Sequence, residues 1–466
     1  MRILLKCPTR SRPTKITETI RSYVRLANHP EMIGIAISCD LDDGSMTRNL
    51  VKEELLRVMK PCEYKQIFYS ENRSKIQACN ADMDNITYPW DIVVLVSDDM
   101  IPQVKGYDDV IRNYMLSKFP DTDGILWFND GYQEDRLNTL CVFGRKMYES
   151  FGYIYYPSYK SLFCDTELTD LCKTTLKNKT LYVPYCIIRH EHPGTGFSQN
   201  MDELYASNQR FWSTDMYTYI SRKSYEYDWS VLIPTIPGRE EGLRRLMDTL
   251  YEKTRRIAPE LHMEICIDFD NRESSIGVKR QRLLNRAKGK YISFIDDDDD
   301  ITDAYIEDLW TCIQGNYHTM RLRGQISQYT FTHSIENKLD GPMARGDVFL
   351  RPPNHLNPMM TDVAKLVPFG DAVRGEDLDW TIRMAKTGFL THEYQSDASR
   401  IHYIYIMGSR DVDPASLTFQ QNTSYETMLR MVWTPKGAML PEQYQDIQKR
   451  EEGPRLRLGP RGFVSK

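Results

Sequence analysis

The chain repeats one pattern at a spacing of about 230 residues. An apolar strand meets a proline-bearing turn with an arginine; a helix and a second strand closing on aspartates follow; another helix leads to a third strand that ends in acids. The first copy opens with Ile3-Leu4-Leu5-Lys6-Cys7 and turns at Pro8-Thr9-Arg10-Ser11-Arg12-Pro13, and the second opens with Ser230-Val231-Leu232-Ile233 and turns at Pro234-Thr235-Ile236-Pro237-Gly238-Arg239. Helix-period stretches, Ile16 to Leu26 and Leu243 to Tyr251, lead to Ser38-Cys39-Asp40-Leu41-Asp42-Asp43 and Cys266-Ile267-Asp268-Phe269-Asp270. After further helical stretches, Ser74 to Met83 and Gly277 to Ala287, come Ile92-Val93-Val94-Leu95-Val96-Ser97-Asp98-Asp99 and Tyr291-Ile292-Ser293-Phe294-Ile295, the latter running into Asp296 to Asp300. Continuous apolar strands alternating with helices predict parallel sheets covered on both faces, which bind ligands beyond the carboxyl ends of their strands. The acids fall at that end.

At 466 residues the chain is long enough for two or three domains, and 41% hydrophobic with 27% charged residues is ordinary globular composition. We divide it into a first domain over residues 1–196, a helical connector over 197–228, a second domain over 229–434 and a polar, basic tail over 435–466. Its formal charge of -5 excludes a global positive field for holding nucleic acid. The start carries no signal-like apolar run, and nowhere do about 18 apolar residues follow one another. A cytoplasmic protein without an integral membrane segment is expected. Ten cysteines without a C-x-x-C pair read as reduced, buried thiols.

Paired carboxylates at a strand end repel one another and are disfavoured near a core. A hard divalent cation with oxygen ligands compensates them, and with open positions it also bridges two phosphates of a nucleotide. Asp98-Asp99 and the run Asp296 to Asp300 are the candidates.

With Gly375-Glu376-Asp377-Leu378-Asp379-Trp380 further along, these segments resemble the nucleotide-sugar glycosyltransferases of the GT-A fold, particularly glycosyltransferase family 2. The resemblance extends over both halves. It implies an α/β fold of two tandem GT-A (Rossmann-like) domains and a bifunctional, metal-dependent transferase moving sugars from nucleotide-diphosphate donors to an acceptor hydroxyl, with inversion in the second domain. Asp40 and Asp268 match the acid that contacts the base and ribose of the donor. Asp98 and Asp99, like Asp296 and Asp298, match the motif for Mn2+ or Mg2+, with the second acid of each as the direct ligand. Asp377 matches the catalytic base, with Glu376 beside it. In the first copy Ser161-Leu162-Phe163-Cys164-Asp165-Thr166-Glu167 departs from the Glu-Asp pattern; Asp165 and Glu167 are the alternatives, Asp165 being favoured.

A histidine follows an apolar strand beyond each base. The fold often places a cation or diphosphate ligand there, so His402 is expected in the second copy and His190 or His192 in the first, with His192 preferred. Arg10, Arg12, Arg73 and Lys75, and Arg239, Lys279 and Arg280, are placed for the donor diphosphate. Trp127, Tyr132, Asn354, His355 and Trp380 are candidates for facing the acceptor. The acceptor itself is a glycan, a protein, a peripherally reached lipid or a hydroxymethylated base in DNA, and the oligomeric state stays open. A nucleotidyltransferase is disfavoured because neither first turn is a glycine-rich phosphate loop. A chain with one active site, whose other domain only binds carbohydrate or nucleotide, is the remaining alternative.

Overall fold

A computed structural model describes residues 1–72, 74–191, 207–372 and 375–406, with the backbone of two short paired strands at Val432–Thr434 and Gly437–Met439. The chain divides into two compact units, Met1–Lys223 and Ser224–Lys466.

The first unit contains β1 (Ile3–Thr9), β2 (Ile33–Asp40), β3 (Tyr64–Ser70), β4 (Ile92–Leu95), β5 (Met100–Pro102), β6 (Ile125–Phe128), β7 (Val142–Gly144), β8 (Thr180–Val183) and β9 (Ile188–His190). Seven of these form one sheet in the order β3-β2-β1-β4-β7-β6-β8, while β5 and β9 pair separately. Strand β1 lies parallel to β2 and to β4, so both its edges are paired. Alternation sends Ile3, Leu5 and Cys7 into one core with Ile16, Ile20 and Tyr23 of the helix Pro13–Leu26, and Leu4 into the opposite core with Val93, Leu95 and Trp127. Each fully buried aliphatic side chain contributes about 1.5–3 kcal/mol. Lys6 shares the second face and is fully buried; its ammonium donates to Ser38 Oγ at 2.6 Å and to the carbonyl of Ala78 at 3.0 Å.

The second unit contains β10 (Tyr227–Thr235), β11 (Met263–Phe269), β12 (Gly289–Phe294), β13 (Asp300–Ile301), β14 (Thr319–Met320), β15 (Leu322–Ile326), β16 (Tyr329–His333), β17 (Ala344–Arg345), β18 (Val348–Arg351), β19 (Met359–Met360), β20 (Glu393–Tyr394) and β21 (Tyr403–Tyr405). Its main sheet runs β11-β10-β12-β19-β14-β20. Strands β10, β11 and β12 are mutually parallel, β12–β19 and β19–β14 antiparallel, and β14–β20 parallel. The path β2-β1-β4-β7-β6-β8 of the first unit has the same order and the same senses. The repeat in the sequence is therefore a repeat in connectivity. The units differ in that the first adds the edge strand β3, and the second inserts β15 to β18 between β14 and β19.

The connector expected over 197–228 does not stand apart. Its helix Trp212–Arg222 belongs to the first unit and packs on the helix Cys164–Lys173. Asp215, fully buried, accepts the backbone N–H groups of Lys160, Ser161 and Leu162 at 2.7 Å each. The tail expected over 435–466 lies outside the described residues, apart from the backbone of Gly437–Met439. All ten cysteines are free thiols, with only Cys186 and Cys266 short of full burial. Among the described residues no helix is long and apolar enough to cross a membrane.

Candidate functional site

In the second unit, a cavity of about 310 Å³ opens beyond the carboxyl ends of β10 and β12. Pro234, Thr235, Ile236 and Arg239 line it from the turn after β10, Ile276, Lys279 and Arg280 from the following helix, Asp296, Asp297 and Asp298 from the acid loop, and Tyr405 from β21. The three aspartates take different roles. Asp297, buried, accepts from Thr235 Oγ1 and from Arg239, both at 2.6 Å, and so anchors the loop. Asp298 has a half-exposed side chain 3.1 Å from the same guanidinium. Asp296 is held above the ordinary carboxylate range by burial, which Arg280 counters and Asp298, Asp297 and Asp377 reinforce.

Asp296 and Asp298 offer oxygen donors to one water-accessible space, the donor chemistry a hard divalent cation takes, with positions left for water or phosphate oxygens. Among the described residues no three His, Cys, Asp or Glu side chains converge into a closed cage. Asp296 and Asp298 are thus the carboxylates that this space offers a cation.

Asp377 lies in the first turn of the helix Glu376–Thr387, and Arg280, 2.6 Å from Glu376 and 3.5 Å from Asp296, ties that turn to the acid loop. Glu376 is buried and accepts from Arg280 at 2.6 Å; burial raises its pKa and Arg280 opposes the rise. Its carboxylate is thus committed to an ion pair and does not serve as a base.

Several other expected donor contacts are already occupied. Asp268 is gripped by Arg282 through both oxygens, at 2.7 and 2.9 Å, and by Arg286 at 3.1 Å. Lys279, buried, donates to the carbonyl of Thr235 at 2.9 Å and pairs with Asp270 at 2.6 Å, so its ammonium ties the strand ends together at the cavity wall. Arg282 and Arg286 escaped the sequence reading, although their i, i+4 spacing on one helix face was a usable signal. Trp380, fully buried, stacks on Phe369 and donates to the carbonyl of Val367, so it cannot face an acceptor. Asn354 and His355 are likewise buried.

The first unit repeats the arrangement with a shift that its strand register exposes. Val96 N–H donates to the carbonyl of Lys6 as Ile295 N–H does to that of Leu232, and Met100 N–H closes on Ser97 as Asp299 N–H closes on Asp296. Ser97 therefore stands where Asp296 stands, Asp98 matches Asp297, and Asp99 matches Asp298. Asp98 is an anchor: it is buried, takes Arg12 at 2.8 Å and Thr9 Oγ1 at 3.5 Å, and its expected role as a cation ligand is withdrawn. Asp99 occupies the position of Asp298, with Ser97 donating to it and His190 Nε2 at 3.7 Å.

The same register corrects the histidines. Met100 pairs with His190, whereas Ile301 pairs with Tyr403, so Tyr405 is the counterpart of His190 and His402 the counterpart of Ile187. His402 is fully buried; its Nδ1 accepts from Arg323 N–H at 2.9 Å and its Nε2 meets Asp308 at 2.9 Å. With both nitrogens engaged it cannot ligate a cation. His192 and Arg73 lie outside the described residues.

Elsewhere in the first unit, Arg10 bridges Asp40 and Asp42 at 2.5 and 2.6 Å, and Lys75 acts electrostatically on Asp99 and Asp165. Asp165, second residue of its helix, accepts from its neighbour's N–H, that of Thr166. Glu167 is removed from the candidates: Tyr159 donates to it at 2.5 Å and Arg222 at 2.7 Å. Trp127 is buried, and Tyr132 is 40% exposed.

Fold and site together define an α/β chain with parallel, Rossmann-like sheets and an acid-lined cleft at their carboxyl ends. No protein-family model and no curated protein matches it. Among solved structures it is similar to the mannosyltransferase PcManGT from Pyrobaculum calidifontis, in complex with GDP-Man and Mn2+, at 13% identity and a TM-score of 0.35 over 47% of this chain and 63% of that one. It is also similar to TarS 1-349 of S. aureus in complex with UDP-GlcNAc, at 14% identity and a TM-score of 0.27 over 41% of this chain and 63% of that one. A third likeness is to a mycobacterial protein, at 12% identity and a TM-score of 0.34 over 47% of this chain and 74% of that one. The chain spans less than two thirds of the mannosyltransferase and of the TarS segment.

Proposed function

We propose that the second unit transfers a sugar from a nucleotide-diphosphate donor to an acceptor hydroxyl, with Mn2+ or Mg2+ held by Asp298 and Asp296. The observation that carries this reading is the cavity where those carboxylates, Arg239 and Arg280 meet at the strand ends, with Arg280 tying the Asp377 turn to it. Bound there, a divalent cation supplies positive charge to the departing diphosphate. Arg239, whose side chain is 45% exposed, offers its guanidinium to the same oxygens. Asp377 takes the proton of the acceptor hydroxyl as that oxygen bonds to the sugar carbon. The bond from that carbon to the diphosphate breaks on the opposite side and its electron pair leaves with the nucleoside diphosphate, so the configuration inverts. The first unit carries the corresponding pair, Asp99 and Asp165, and is read as a second transferase site.

A thermal-shift screen of uridine, guanosine and cytidine diphosphate sugars with Mn2+ tests the reading, because a ligand that binds only the folded chain raises its melting temperature. We expect stabilisation by at least one donor that EDTA abolishes and that Asp298→Ala reduces. No stabilisation by any donor, with or without Mn2+, would refute it.

A further inference from the structure

Two pairs of helices can be superposed residue by residue on their caps. Ser74 accepts from Gln77 N–H at the start of Lys75–Asn80, and Ser275 accepts from Val278 N–H at the start of Ile276–Arg286. Cys79 thus stands where Arg280 stands. Helices Cys164–Lys173 and Glu376–Thr387 each begin after a residue in the left-handed region, Phe163 (φ 62°) and Gly375 (φ 78°). Cys164 therefore matches Glu376, and Asp165 matches Asp377.

Where the second unit buries an ion pair at 2.6 Å, the first buries two thiols within one apolar cluster. A third member follows suit. The other arm of Arg280 lies 3.5 Å from Asp296, and the counterpart of Asp296 is the neutral Ser97. Three charged positions in one unit are three neutral positions in the other, while Asp99 with Asp298 and Asp165 with Asp377 keep their charge. A buried charge without its partner is strongly disfavoured, so such positions exchange as a set. Their charges serve one another.

Resting on the proposed glycosyl transfer, we infer that Arg280 and Glu376 are positioning residues. They form a latch that docks the first turn of the helix carrying Asp377 against the acid loop, and the first unit builds the same latch from Cys79 and Cys164. Glu376 stands outside the cavity lining and reaches the reaction through the placement of Asp377, while Arg280 joins that turn to the cavity wall.

The test is a double-mutant cycle in the full chain, in an Asp165→Asn background so that only the second site turns over. Arg280→Cys and Glu376→Cys each lower kcat by tenfold or more. The double variant, which removes both halves of the ion pair together, recovers part of that loss. Nucleoside diphosphate affinity in the presence of Mn2+, measured by calorimetry, stays within twofold of the starting chain in Glu376→Cys, whose side chain stands outside the cavity lining. A contribution to stability alone would lower the melting temperature without this split between kcat and affinity. If a single cysteine variant fails to fold, Arg280→Met and Glu376→Gln complete the cycle. A double variant no better than the worse single one, or a loss confined to donor affinity, overturns the inference while leaving glycosyl transfer intact. Absence of turnover of any nucleotide sugar by the unaltered chain overturns glycosyl transfer, and the latch with it.

Discussion

Asp377 and Asp299 show how differently neighbouring carboxylates behave at one strand end. Among the described residues no ion pair occupies Asp377 as Arg280 occupies Glu376, and on the proposed reading Asp377 takes the acceptor's proton. General-base removal costs about 10²–10⁴ in rate. Asp377→Asn is therefore expected to lower transfer by the second site by that factor while leaving Mn2+-dependent nucleotide binding unchanged, as kinetics and calorimetry on one preparation would show. Asp299 is buried, and burial raises it to about 7 even though Tyr403 and the Ile406 N–H both donate to it. An unfolded Asp titrates near ~3.9, so between about 4 and about 7 the folded chain holds the extra proton. Stability consequently falls as pH rises through that window, by ~4 kcal/mol at most. Urea denaturation in EDTA should find Asp299→Asn gaining on the unaltered chain at pH 8 relative to pH 5. An equal difference at both pH values would show that Asp299 does not titrate in this range.

The strands that carry these acids were legible because continuous apolar runs and their terminal aspartates are local features. Register was not, since pairing partners lie far apart in the chain and a shift of one position changes which acid matches which. Reading Ser97-Asp98-Asp99 by its acids alone aligned Asp98 with Asp296; the hydrogen bonds from Val96 and Ile295 align it with Asp297. His402 misled for the same reason, matching a pattern three residues away from the position of His190. The helix Trp212–Arg222 was visible as a helix but not as a part of the first unit, because its attachments are long-range. Asp215 satisfies three backbone donors, Tyr219 donates to Asp170 and Arg222 holds Glu167. Hydrogen bonds to a charged group contribute about 1.5–3 kcal/mol, and leaving buried donors unsatisfied adds to the loss. Asp215→Ala should thus cost about 3 kcal/mol of stability in the first unit. Chemical denaturation would detect that loss, and a change below about 1 kcal/mol would mean that other contacts hold the segment before Asp165.

At the level of the whole molecule, one chain carries two acid-bearing strand ends of the same connectivity and unequal charge. The second presents Asp296 and Asp298 to its cavity, and the first presents Asp99 with Ser97 in the other place. Affinity for a hard divalent cation rises with the number of charged oxygen ligands. Mn2+ titration followed by electron paramagnetic resonance, with a saturating nucleoside diphosphate, should therefore resolve two steps, the tighter one lost in Asp298→Ala and the weaker one in Asp99→Ala. The same charge distribution argues against a DNA acceptor. A formal charge of -5 is a poor start for phosphate contacts, and at the second site Arg280 and Arg282 are already paired with acids. Binding through neutralised phosphates strengthens steeply as salt is lowered, so a chain that acts on duplex DNA must be retained on it at low ionic strength. We expect no retention on a duplex column at the lowest salt that keeps the protein in solution. Retention there, lost on raising the salt, would restore a modified base as the acceptor and place the hydroxyl that Asp377 deprotonates on DNA.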